Sequence, residues 1–153
     1  MTDGTRGSLQ VDRNGLEVLE PEECLRLLAT ATLGRVGITS GALPVILPIN
    51  FRLVGDRIVF RTGIGTKLDA ATRSAIVAFE VDRIEPFSHT GWSVSVTGLA
   101  AEITDPAELE EVTKAHIPRW APTGGDRLVA VSAQMVSGRR IVPGLRSRPE
   151  EDS

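Results

Sequence analysis

The residues best placed to do chemistry lie in one short run, Arg61-Thr62-Gly63-Ile64-Gly65-Thr66-Lys67, of a 153-residue chain. A β-rich stretch ends in Arg-Thr, passes two glycines and enters a helical pattern with Thr66 and Lys67 in its opening turn. The first N–H groups of a helix lack intrahelical partners and sit at the positive end of its dipole. A lysine point charge and an arginine fork beside them suit a phosphate. The same residues also describe an ordinary glycine turn with solvated charges, and the local sequence leaves both readings open.

Two further segments stand out. Pro48-Ile49-Asn50-Phe51 interrupts an apolar run with proline and asparagine, residues depleted in strand interiors. A chain leaving regular pairing there can turn backbone groups and the Asn50 amide toward the polar edge of a planar heterocycle; an edge strand with a bulge explains the same residues. Thr90-Gly91-Trp92-Ser93 places one of only two tryptophans where a loop enters a strand. The indole there can cover a ring system or cap a barrel end, and Trp120 invites the same two readings.

Side-chain catalysis has little else to work with. The chain has no Gly-x-Ser-x-Gly elbow, no His-Glu-x-x-His and no Walker glycine loop. His89 and His116, its two histidines, are candidates for proton transfer, and no catalytic residue is assigned. Cys24 is the single cysteine, so no intramolecular disulfide forms and no cysteine cluster holds a metal; no metal site is expected. The formal net charge of −3 gives no general attraction to nucleic acid or anionic membranes. No apolar run approaches the roughly 20 residues of a membrane span, and no signal architecture opens the chain, so a cytoplasmic protein is expected.

The elements that must position these residues read as mainly β. Pro21 to Ala29 is a helix, with proline and two acids in its first turn. Gly34–Thr39, Leu43–Leu53 and Arg57–Thr62 read as three strands of an antiparallel meander, punctuated at Ser40-Gly41 and Gly55-Asp56. A short helix over Thr66–Arg73 precedes the strand Ala75–Val81. Ser93–Ile103 is a long strand bent at Gly98. Asp105-Pro106 opens a third helix to about Ala115, and β signals return at Arg127–Ala133 and Val136–Val142. Six or seven strands with three short helices and no βαβ alternation predict an antiparallel barrel over residues 16–143, flanked by a flexible segment 1–15 and a polar tail 144–153.

Taken in order, the segments around Pro48–Phe51, Arg61–Lys67, Val77–Asp82 and Thr90–Gly98, with the ending Val136-Ser137-Gly138-Arg139-Arg140-Ile141, are informative together. Over about Leu19 to Val142 the chain resembles the pyridoxamine 5′-phosphate oxidase-like FMN-binding split-barrel family, in its small bacterial, nitroimidazole-reductase-like branch. The resemblance implies a split barrel that forms a homodimer, with FMN at the subunit interface and oxidoreductase activity on a small molecule. It implies that Arg61, Thr62 and Lys67 contact the FMN phosphate and ribityl chain, and that Pro48, Ile49, Asn50 and Phe51 lie along the isoalloxazine. Trp92 and Ser93 would come from the partner, and Trp120 would line the substrate side. Vitamin B6 oxidation is not expected, because the residues that would hold pyridoxal phosphate have no counterpart. A deazaflavin-dependent reductase and a non-catalytic flavin-binding or redox-sensing protein are the alternatives. A haem-handling split barrel would lack a distinctive histidine ligand.

Overall fold

The computed structural model describes residues 9–119 and 126–143. In chain order the elements are β1 (Glu17–Val18), α1 (Pro21–Leu28), β2 (Leu33–Ser40), β3 (Leu43–Asn50), β4 (Arg52–Val54), β5 (Arg57–Gly63), α2 (Lys67–Ala71), β6 (Ala75–Glu85), β7 (Thr90–Glu102), α3 (Pro106–Lys114), β8 (Asp126–Ser132) and β9 (Met135–Ile141). All strand pairs are antiparallel, and the main hydrogen-bonded order is β3-β2-β6-β7-β8-β5-β4.

That order corrects the expected meander. β2 with β3 and β4 with β5 are hairpins, but β3 and β4, consecutive in the chain, stand at opposite ends of the sheet. The apolar run Leu43–Leu53 is therefore two strands, broken at Phe51. This residue is fully buried, donates its N–H to Thr32 O at 3.0 Å and meets Phe79 edge-on with centroids 4.8 Å apart. Because one residue joins the two ends, the sheet must curl on itself. The result is the expected split antiparallel barrel with three helices.

β7 is the bent strand that lets the barrel split. Its first part pairs β9 from Gly91 to Thr97, and its last part pairs β8 from Ala100 to Glu102. The changeover is at Gly98, where a Cβ would collide with the Ser132 carbonyl. The expected corner glycine is thus explained by close backbone approach.

Inward-facing residues of the strands, with Leu27, Leu28 and Cys24 of α1, form the main core. Burying each aliphatic side chain of this kind stabilises the fold by about 1.5–3 kcal/mol. α1 begins with Pro21 at its first position, Glu22 and Glu23 in its first turn and Arg26 in its last, as its sequence predicts. It lies against β9 at Gly138, where a Cβ would sit 2.7 Å from Cys24 Sγ. Burial pushes the Cys24 thiol up, so it remains a neutral core group. α3, capped by Asp105 accepting from Glu108 N–H at 3.1 Å, covers the other face of β5 and β8, where Val112 joins Val59, Ile103, Ile117 and Ala130.

Ahead of β1, Asp12 accepts from the N–H groups of Asn14 and Leu16 and from Arg139 Nε at 3.0 Å. No helix among the described residues is long and apolar enough to cross a membrane.

Candidate functional site

Period-two alternation decides what Arg61 and Thr62 can reach. Thr62, on the inner face of β5, is buried, and its Oγ1 lies 3.4 Å from Asp69 Oδ1. Arg61 faces the α3 side, donating through Nε to Ile117 O at 3.0 Å, with Nη1 3.4 Å from Asp126 Oδ1. Lys67 is exposed at the first position of α2 and makes no ion pair among the described residues. The three residues share one turn but point three ways.

The turn itself is closed from inside. Thr66 caps α2, accepting from Asp69 N–H at 3.1 Å and donating to Gly63 O at 2.7 Å. Asp69, 3% exposed, sends its carboxylate back to the Gly65 N–H at 2.9 Å. Arg127 of β8 pairs with that carboxylate through Nε and donates Nη2 to the Asp69 carbonyl at 2.9 Å. Its Nη1 is 3.3 Å from Glu102 Oε2 on β7, while Arg73 Nη2 approaches Asp69 Oδ2 at 3.3 Å. The Gly65 N–H bond, with both arginines, holds the Asp69 carboxyl at about 2 against burial, which works in the other direction. The Gly65 N–H of the turn is taken by the chain's own carboxylate, and the Asp69 N–H of the helix start by Thr66. No buried side-chain nitrogen or oxygen among the described residues lacks a partner.

Asp69, Arg127 and Glu102 escaped the sequence reading. The signal for Asp69 was present, because Thr66-Lys67-Leu68-Asp69 has the spacing of a capping box. Arg127 is 58 positions away and is brought there by the pairing of β5 with β8.

β3 divides the second segment. Pairing with β2 is continuous from Leu43 to Asn50, so the chain leaves the ladder at Phe51 and not at Pro48. Ile49 and Phe51 are buried in the core, while Pro48 is exposed and Asn50 half-buried. Phe51 bonds to Thr32 O, so the alternation turns the backbone groups of Pro48 and Asn50 toward the edge of β3 that has no strand partner. Pro44 and Pro48 lack donors on that edge, which blunts it against stray pairing. Asn50 brings an N–H, a carbonyl and an amide to it. α2 touches both β5 and β2, and β2 is the strand that pairs with β3.

Trp92 lies elsewhere. It packs on the core at the far end of β7, with the Arg83 guanidinium 5.9 Å from its ring centroid. It borders a groove of about 360 Å³ with Arg83, Thr90 and Arg140. Ser93 faces outward opposite Arg139. Trp92 and Glu102 are ten positions apart on one strand. That separation corresponds to on the order of 30 Å.

His89 and His116 sit in separate exposed turns with φ of 51° and 52°. Their shared trait is a left-handed turn conformation that histidine tolerates. Trp120 lies outside the described residues. No group of three or more metal-ligating side chains occurs among the described residues.

The strand order, the curl at Phe51 and the β7 changeover define a split-barrel protein. The sequence pattern of the pyridoxamine 5′-phosphate oxidase family matches residues 20–140, and the chain belongs to that family. An uncharacterized protein of Mycobacterium tuberculosis is 37% identical over 152 residues, covering 96% of this chain and 99% of the other. The structure of an FAD-binding protein from Mycobacterium smegmatis superposes with a TM-score of 0.73 at 35% identity, over 82% of this chain and 99% of that one. An FAD-binding protein from Mesorhizobium loti shares the fold at TM-score 0.69 and 19% identity, over 83% and 99% of the two chains.

Proposed function

We propose that this protein binds a flavin between two copies of the chain and works as an oxidoreductase on a small molecule, with FMN as the cofactor. The observation that carries the reading is an exposed lysine on a preformed turn, opening a helix that packs on β5 and on β2, whose neighbour β3 carries the unpaired edge at Asn50. Lys67 supplies the charge for a phosphate. Arg61 joins it only by leaving Ile117 O and Asp126. Asn50 and the neighbouring backbone offer donors and acceptors to the ring's polar edge, and Pro48 offers an apolar surface. Ile49 and Phe51 act from behind, by fixing the strand. The flavin supplies hydride or electron transfer, which explains the lack of a side-chain triad.

Two observations support a second copy. Ile46, Ile76 and Met135 are 73%, 60% and 70% exposed, and with Ala78 and Leu99 they make an apolar band on the outer face of the sheet. Such a band marks an association surface. The Trp92 end, with its open groove, lies ten strand positions from Glu102 and is available to the split of a second copy.

FAD is a second reading, favoured by the 35% identical relative named for binding it. The ultraviolet-visible spectrum of protein purified without added cofactor, with mass spectrometry of the released ligand, tests both. A flavin spectrum with the mass of FMN is expected; the mass of FAD selects the second reading. A deazaflavin spectrum, or no uptake of any flavin by the purified protein, rejects both.

A further inference from the structure

We propose that Asp69, gripped by Arg127, is a positioning residue for phosphate recognition, fixing the Gly63–Lys67 turn before any ligand arrives. The inference rests on the flavin reading above. α2 has five residues, too few to be stable alone, so its placement must come from outside the helix. Asp69 supplies it. One carboxylate ties Gly65 at the turn, Thr62 at the strand end and Arg73 beyond the helix, while Arg127 holds both the carboxylate and the carbonyl of the same residue. Glu102 steadies Arg127 from β7.

The charges explain why an acid can stand beside an anion site. Asp69 and Glu102 are balanced by Arg127 and Arg73, and Lys67 is an exposed cation with no ion-pair partner among the described residues. A neutral, rigid platform then presents Lys67 without the entropy cost of ordering the turn on binding. Without the carboxylate, the Gly65 N–H and the Arg127 guanidinium lose their anchor, and the lysine loses its fixed stem.

A purely fold-stabilising lock would affect all flavins alike, whereas a positioning role concerns the phosphate. The test is the affinity ratio of FMN to riboflavin, measured by fluorescence quenching, in the native protein and in Asp69→Asn, Lys67→Ala and the double variant Asp69→Asn/Arg127→Met. The double variant removes both members of the buried pair and leaves no lone buried charge, since Glu102 and Arg73, which lose their partners, are solvent-exposed. The native protein is expected to prefer FMN. Asp69→Asn and the double variant should lose about tenfold in FMN affinity while riboflavin changes less than about twofold. Equal weakening of both ligands, an unchanged ratio, or failure of the double variant to fold overturns the positioning role. If Lys67→Ala also leaves the ratio unchanged, the phosphate reading itself fails. If Lys67→Ala collapses the ratio and the Asp69 variants do not, only the present inference falls.

Discussion

The two ends of β7 are built on opposite electrostatic plans. At the Glu102 end, Asp69 is 3% and Arg127 8% exposed, and their charges are satisfied within the corner. At the Trp92 end, Arg139 and Arg140 pair with Asp12, Glu17 and Glu23 near the surface, and Arg83 lies over an indole beside open grooves. One end is a preset platform; the other is an adaptable rim. Ten strand positions separate Trp92 from Glu102, so the two plans stand at opposite ends of one strand.

The contrast is sharpest in stability. Replacing Asp69 by Asn should cost about 3 kcal/mol in chemical denaturation, because Arg127 stays buried with its best partner gone. A loss below about 1 kcal/mol would show that the corner behaves like a surface pair. Next comes ligand affinity. Replacing both Arg61 and Lys67 with Ala should weaken FMN by over ~2 kcal/mol in titration calorimetry, as two charge-assisted contacts are removed. An unchanged affinity removes the turn from the site.

Acid separates the ends further. Asp69 is held at about 2 in the folded chain. Its unfolded counterpart titrates near 3.9. A depressed carboxyl stabilises the fold fully above the unfolded value and loses that contribution as pH falls through the folded one. Stability should therefore drop between about pH 4 and pH 2, and Asp69→Asn should flatten part of that drop. Glu23, also held at about 2 by Arg26 and Arg140, adds to it, as does Asp12, whose carboxyl is lowered by the Leu16 N–H. The smallest effect belongs to the rim: Asp12→Asn breaks a pair with the partly exposed Arg139 and should leave the thermal unfolding midpoint nearly unchanged.

Local signals explain why some elements were legible in the sequence. Pro21-Glu22-Glu23 and Asp105-Pro106 mark helix starts whose capping is decided within a few residues, and Gly98 marks a backbone approach that tolerates no side chain. The break at Phe51 was hidden because both flanking strands are apolar. Only the return of β5 to the far end of the sheet separates β3 from β4. The same alternation that buries Ile49 and Phe51 was readable, and it divides Pro48–Phe51 into two outward-facing and two core residues. Arg127 was not readable, because only the pairing of β5 with β8 brings it to Asp69, 58 positions away.

The central claim is that the Lys67 turn of one copy and the Trp92 end of another serve a single flavin. Co-expression of differently tagged Lys67→Ala and Trp92→Ala chains yields mixed dimers containing one undamaged pairing of the two ends. Flavin content after purification and FMN titration should show one tightly bound flavin per mixed dimer, with weakened binding at both sites of each parent homodimer. A mixed dimer that binds no better than its parents would contradict the account.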